Sequence, residues 1–533
     1  MQFLPQNWDA ATREQFWFTS QGSRVIPYAW FLALEQDDGS PFRSDAHMDA
    51  LRYIPAPKSL HNPDALPVGF VKDVDGKDAW IGLTCAACHT GRIDYRGTPL
   101  IIDGAPTLAN ADRLLTELSA ALSKTLEDPV RLERFVARVL PRNPGRNDRT
   151  KLIEQMRAES KILADRVRVN AVPWKDYPGF GRIDAYGQVY NQVTELDLGV
   201  PGNGKRPDAP ASYPFLWGIA QSDLVQWNGA GQNRFPSEYF PMGILFRNTV
   251  EIIGVYGRLD MREARGLYPS SVDVMGLGRL ENPLCTLHAP PWPREVFGPL
   301  DENLRAKGEK IYDHRCAKCH GVVENGTKYT VGLVPIAEVK TDPNLAVNAH
   351  DRRAKTGGLA GRAKNLKETF GPEDNASDIL VHAVTGVLLA KPLDTFVAVH
   401  QSACVADASN DLPPDQKIRE VQKALDELRE QLAVVPVKYK PRPLNGIWAT
   451  APYLHNGSVP TLADLLDPDH RPKSFYVGSR EFDPVKVGFR SDESPGATKF
   501  DTTIDGNHNT GHLYGAGLSD TERRQLLEYL KGL

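Results

Sequence analysis

Apolar positions recur at helical spacing in two long stretches of the N-terminal half. Leu114, Leu115, Leu118, Leu122 and Leu126 mark one face of a helix over 111–140, with Asp112 and Glu117 near its start. Leu152, Ile153, Met156 and Leu163 do the same over 149–168. Residues 1–80 alternate aromatic-rich segments with Pro/Gly turns, and the apolar run after Pro27 suits a short helix. Residues 171–241 carry Gly, Pro and aromatic residues without a period, as an irregular binding region does. Pro290, Pro291 and Pro293 break regular structure, and a new helix starts at Leu300. Residues 414–434 predict a charged helix that ends before Pro436. A last helix runs over 518–530, where Ser519 is an N-cap and Glu522 completes a capping box. The longest apolar run, Ile379 to Ala390, contains His382 and is too short to cross a bilayer.

Composition narrows the classes. The chain has 533 residues, enough for two to four domains, and a formal net charge of −4. That balance argues against a nucleic-acid binder held by phosphate neutralisation. With 44 glycines and 41 prolines, much of the chain is expected to be loop.

Four of the six cysteines fall into one repeated pattern: Cys85-Ala-Ala-Cys88-His89 and Cys316-Ala-Lys-Cys319-His320. Two thiols three positions apart match the two vinyl groups of one porphyrin, and the next residue supplies the proximal imidazole. A redox Cys-x-x-Cys needs no following histidine, and a zinc ribbon would need pairs over 200 residues apart to converge. The motifs predict two covalently attached haem c groups, with His89 and His320 as iron ligands. Haem c is attached outside the cytoplasm. The N-terminus shows no signal peptide, so a leader is read as removed and the protein as periplasmic or secreted. Cys285 and Cys404 are left over, as a disulfide or as two buried thiols, with a slight lean to unpaired.

The sixth ligands follow from where His and Met are absent. No methionine lies after Met275, so a Met ligand from the C-terminal half is impossible. A second histidine is the alternative for the second haem, and His455, bracketed by Pro452 and Gly457, is the first choice. His508 and His512 are its rivals, and Tyr453 is more remote. No histidine lies between Gly91 and Leu287, and His47, His61 and His288 reach the first haem only by tertiary contact. The first iron is therefore expected to keep an open face for O2 or peroxide, with His89 as the catalytic proximal ligand, while the second relays electrons. A protein with both irons six-coordinate that only carries electrons is the third reading.

A helix just before the second motif and the capped helix at the end frame a small cytochrome c domain. The expectation is a mainly α protein with two cytochrome c-like haem domains, long irregular loops and insertions. The N-terminal haem domain covers 1–295, and the C-terminal one covers 296–533 with an insertion around 321–415.

Two such motifs followed by TAPYLHNGSVPTLADLL (450–466) resemble the di-haem cytochrome c peroxidase superfamily. QGSRVIPYAWFLALE (21–35), GFGRIDAYG (179–187), DLVQWNG (223–229), GIWATAPYLHNGSVPTL (446–462) and NHNTGHLYG (507–515) resemble its rubber oxygenase A branch. The resemblance implies that the N-terminal haem is the active centre and can hold O2, and that His320 and His455 both ligate the second. Bacterial di-haem peroxidases instead place a Met on the electron-input haem and a removable His soon after the first motif, and this chain lacks both. The resemblance implies oxidative cleavage of an alkene-type substrate, small or polymeric, or of an aromatic alkene. The alternative is reduction of H2O2 with electrons from a small donor protein. An oxygenase wall would be apolar, with Phe180, Tyr186, Phe215 and Phe235 available. A peroxidase needs an acid–base residue, with Glu251, Glu238 and Asp223 available. Trp217, Trp227 and Trp448 are candidate electron bridges or simply core. Some superfamily members hold Ca2+ between domains, but no ligand motif for it is visible here.

Overall fold

The computed structural model describes residues 1–533 apart from 142–144, 173–178, 237–239, 264–265, 322, 325, 403, 405–411 and 432–434. Glu238 lies outside the described residues, as do parts of the irregular segment over 171–241. The fold is mainly helical, with two cytochrome c-like domains and, among the described residues, eight small sheets of two or three strands.

Strands, not a helix, carry the first haem motif. Strand β1 (Phe70–Asp75) pairs antiparallel with β2 (Asp78–Leu83), from Phe70 opposite Leu83 to Asp75 opposite Asp78. The motif forms one tight turn after β2, capped by Thr84, whose hydroxyl accepts from the Ala86 N–H. The chain leaves in a second hairpin, β3 (Thr90–Tyr95) with β4 (Thr98–Asp103). Gly69, at φ +79°, lies so close to the Ala87 backbone that a β-carbon there would collide with it.

The helix expected over 111–140 is two helices, α1 (Ala111–Glu127) and α2 (Pro129–Val139). Asp128 ends one and caps the other, accepting from the N–H groups of Val130 and Arg131. Pro129 has no N–H to continue the ladder, and it disfavours helical backbone at the residue before it. The next helix, α3 (Arg146–Val169), lies where periodicity placed it and packs on α1.

Two apolar cores matter for the sites. One joins Leu100, Ile101 and Leu287 to Tyr312, Trp448 and Leu530, so it spans residues from both halves of the sequence. The other surrounds α4 (Met242–Gly254) and α5 (Val274–Leu284). Later helices of the C-terminal half pack into this second core: α7 (Ala376–Leu389), α8 (Pro392–Ser402) and α9 (Pro414–Gln431). Among the described residues no single helix is long and apolar enough to cross a membrane, and α7 and α8 are bent by 102° to each other. Cys285, at the end of α5, is disulfide-bonded to Cys404, just beyond α8, with their α-carbons 5.6 Å apart. This corrects the lean to free thiols; the sequence separation of 119 gave no sign of the pairing.

The second motif follows α6 (Glu302–Arg315), which is capped by Asp301 and crosses the C-terminal helix α10 (Asp520–Lys531). Ser519 and Glu522 form the expected capping box. At the crossing, a β-carbon on Gly308 would collide with the Gln525 carbonyl oxygen. Gly308→Ala is expected to cost about 1–3 kcal/mol, lowering the calorimetric melting temperature and the haem content at the second motif. An unchanged melting curve would contradict the crossing.

Candidate haem sites

Both motifs close the same local turn. The N–H of His89 bonds the carbonyl of Cys85 (2.9 Å), and that of His320 bonds the carbonyl of Cys316 (2.9 Å). All four motif thiols are unpaired. The imidazoles are oriented in the same way. His89 Nδ1 lies 2.7 Å from the carbonyl oxygen of Pro214, and His320 Nδ1 lies 2.7 Å from that of Arg442. A carbonyl can only accept, so Nδ1 carries the proton and Nε2 keeps its lone pair. Burial lowers both pKa values, that of His89 to about 4. Both rings are therefore neutral at pH 7, the form that ligates iron.

Around the first site the structure selects one of the candidate acids. Glu251 on α4 has accessible surface, yet burial raises its carboxyl pKa. Glu251 lies within electrostatic reach of Cys85 and Cys88. Its carboxylate accepts a hydrogen bond from Gln226. Tyr186 is hydrogen-bonded to Gln226 and Asn228. One turn before Glu251, Arg247 is locked by a buried, two-pronged pair with Glu281 at 3.0 Å on each oxygen. On the Cys88 side lie Tyr53, Tyr213, Tyr256 and Asp112. Burial pushes Asp112 up to about 6, and it accepts from Gln188 (2.7 Å). Asp223 instead ties loops together, accepting from the N–H groups of Leu224 and Val331.

The expected apolar wall is not assembled from the four aromatic residues named for it. Phe180 packs with Phe475, Val477 and Phe500. Phe215 stacks on Trp217 at 4.7 Å, next to the carbonyl that holds His89. Phe235 packs against the second core, and Tyr186 is the one of the four beside Glu251. His47 is held by the Phe42 carbonyl (2.6 Å) and Glu117 (2.7 Å), and His61 is exposed.

The second site is a largely apolar cavity of about 180 Å³ that Cys316, Cys319, His320, His455 and His512 all line. The ring facing His320 is His512, with centroids 5.9 Å apart. Its loop is pinned. The His512 N–H bonds the Val339 carbonyl (2.8 Å), and the Arg471 guanidinium donates to the carbonyls of Asn509 (2.7 Å), Gly511 (2.8 Å) and His512 (3.1 Å). His512 itself holds φ +48°, a strained backbone for a non-glycine residue. His455, expected in that position, is otherwise committed. Its ring stacks on Tyr439 at 4.3 Å, and its Nε2 lies 3.0 Å from the Tyr439 hydroxyl. Tyr439 gives its hydroxyl proton to the Asp342 carbonyl (2.7 Å), and the pair holds the His455 ring against Tyr439. Only the glycines around His512 hinted at its tight loop, and the Tyr439–His455 pair leaves no sequence trace. His508 contacts the Thr502 carbonyl and Asp505. Tyr453 bonds the Val487 carbonyl (3.1 Å).

The residues fit haem. Paired thiols, neutral imidazoles with free Nε2 atoms and an apolar cavity stand together. Arg442 Nη1 and His512 Nδ1 are buried without protein partners, as donors awaiting a haem carboxylate or solvent would be. Among the described residues no group of three or more His, Cys, Asp or Glu is placed to hold a separate metal ion.

Two Cys-x-x-Cys-His turns, each with its imidazole held by a distant carbonyl, define a c-type cytochrome with two haem-attachment units. Residues 305–382 match the cytochrome c family, and residues 438–476 match the RoxA-like, cytochrome c-like family. The uncharacterized protein y4iJ of Sinorhizobium fredii (strain NBRC 101917 / NGR234) is 32% identical across all of this chain and 93% of its own length. A second uncharacterized protein of that strain, y4iM, is 26% identical over 58% of this chain and 60% of its own. The chain belongs to one family with y4iJ, and it carries a cytochrome c domain and a RoxA-like, cytochrome c-like domain.

Replacing Cys316 and Cys319 together by Ala is expected to leave one covalent haem per chain, against two in the parent, by haem stain and intact mass. Two haems remaining in the variant would refute attachment at this motif.

Proposed function

We propose that the protein is a periplasmic haem oxidoreductase. In this reading its first haem site handles a dioxygen species, and Glu251 manages the proton that O–O bond cleavage requires. When bound, a haem held by Cys85, Cys88 and His89 would supply the iron chemistry that acts on O2 or peroxide. The chain supplies the rest: the Pro214 carbonyl orients His89, Gln226 orients Glu251, and the Arg247–Glu281 pair fixes α4 against α5. At the second site His320 and His512 are the proposed ligand pair. The disulfide and the covalent haem both suit an oxidising compartment.

Of the two chemistries, peroxide reduction (H2O2 + 2e⁻ + 2H⁺ → 2 H2O) is the one the geometry supports better. A single observation carries it: a carboxyl on α4, held by Gln226 within electrostatic reach of both thiols of the first motif and with its pKa raised by burial. The electrons would come from a donor protein by way of the second site. O2-dependent cleavage of an alkene is the second reading. It is supported by the RoxA-like match and by a cavity of about 60 Å³ beside Tyr186 and Gln226, walled by Phe246, Val250, Leu380 and Val381.

The test is stopped-flow mixing of the reduced holoprotein with H2O2, and separately with O2 and an alkene. Glu251→Gln is expected to slow peroxide-dependent oxidation by about 100-fold or more with both haems still attached. Peroxide turnover unaffected by Glu251→Gln, with alkene cleavage under O2, would replace the first reading by the second. Inertness to both oxidants would leave an electron carrier. For the ligand pair, His512→Ala is expected to convert one low-spin haem to a high-spin spectrum, whereas His455→Ala keeps it low-spin. The reverse result would restore His455 as the ligand.

A further inference from the structure

The two carbonyls that orient the proximal histidines are not independent of each other. Pro214, which holds His89, is followed by Phe215. The Phe215 carbonyl accepts from Arg442 Nη2 at 2.7 Å, and the Arg442 carbonyl in turn holds His320. A bonded route thus runs from His89 through Pro214, Phe215 and Arg442 to His320, made of main chain, one side chain and three hydrogen bonds. The Arg442 guanidinium lies 3.7 Å from the centre of the Phe215 ring and 5.1 Å from that of Trp227. A guanidinium stays protonated throughout the neutral range, so Arg442 is a cation. Among the described residues no carboxylate is bonded to the guanidinium.

The tryptophans expected as bridges are placed differently. Trp448 is fully buried beside Trp292, Phe297 and Phe482, with its N–H on the Pro290 carbonyl (3.0 Å). Trp217 gives its N–H to the Asn445 carbonyl (2.7 Å). Trp227 lines the second cavity beside Arg442.

We propose that Arg442 is the positioning residue that couples the two haem sites: its carbonyl aims His320, its guanidinium holds the segment that aims His89, and its positive charge between them favours Fe(II) at both. An electron passed along this route oxidises one iron from Fe(II) to Fe(III) and reduces the other from Fe(III) to Fe(II), with no proton or added reagent. The coupling needs two haem sites but does not depend on whether the oxidant is O2 or peroxide.

The test is a spectroelectrochemical titration of the full-length holoprotein, with haem content and melting temperature as controls. Arg442→Gln is expected to lower both midpoint potentials, because a cation stabilises the more reduced, less positive iron. Arg442→Lys keeps the charge but is too short to reach the Phe215 carbonyl in the same way. It is expected to hold both potentials near the parent values while slowing inter-haem electron exchange several-fold after pulse reduction. A shift of the second potential alone, or no shift, in Arg442→Gln overturns the proposal. Parent-like exchange in Arg442→Lys overturns it too, and that measurement decides if Arg442→Gln fails to take up two haems. Failure of peroxide turnover leaves these readouts untouched, so the two ideas fail separately.

Discussion

An imidazole can serve as an iron ligand only if it is neutral and its spare nitrogen points the right way. Here both conditions rest on one interaction used twice: a ring N–H given to a backbone carbonyl in a water-poor interior. The carbonyls belong to residues 125 and 122 positions away in sequence. Neither haem motif is therefore a self-sufficient local device. Each becomes a ligand only when the distant strand or loop has docked, so the chemistry is tied to completion of the tertiary fold.

The same dependence crosses the expected domain boundary. Helices α7, α8 and α9 come late in the chain, yet they pack against α4 and α5, which carry Arg247, Glu251 and Glu281. The wall of the first site is thus braced by residues that follow the second motif. Burial raises the pKa of the Glu251 carboxyl, whereas a carboxyl on a bare helix face would titrate in the ordinary range. The chemistry available at the first iron is in this sense set by the packing of the later helices.

Spacing alone made the two attachment motifs, the final capped helix and α3 legible, because each is a local signal. Asp128-Pro129 also carried its message, and reading leucine periodicity past it merged two helices. The hairpins around Cys85 were harder, since β1 and β2 are six residues each and their pairing is invisible to helical periodicity. The choice between His455 and His512 lay beyond sequence reasoning for a definite reason. What engages His455 is its stacking and 3.0 Å contact with Tyr439, and what favours His512 in the proposed pair is a loop clamped by Arg471. Both are contacts between residues whose neighbourhood only the folded chain creates. Glu251 was one of three acids until α4 placed it beside Cys85.

The Cys285–Cys404 bridge sets a demand on how the protein is made. Six thiols enter the same compartment and must meet opposite fates: two give up their electrons to an oxidant and bond to each other, while four must stay reduced until porphyrin vinyl groups arrive. Each Cys-x-x-Cys pair is close enough to oxidise within itself, which would close the door to the cofactor. Biogenesis therefore needs an oxidant and a reductant acting side by side, with the reductant clearing the short pairs and sparing the long-range one. A cell that supplied only the first would accumulate a well-stapled, colourless chain.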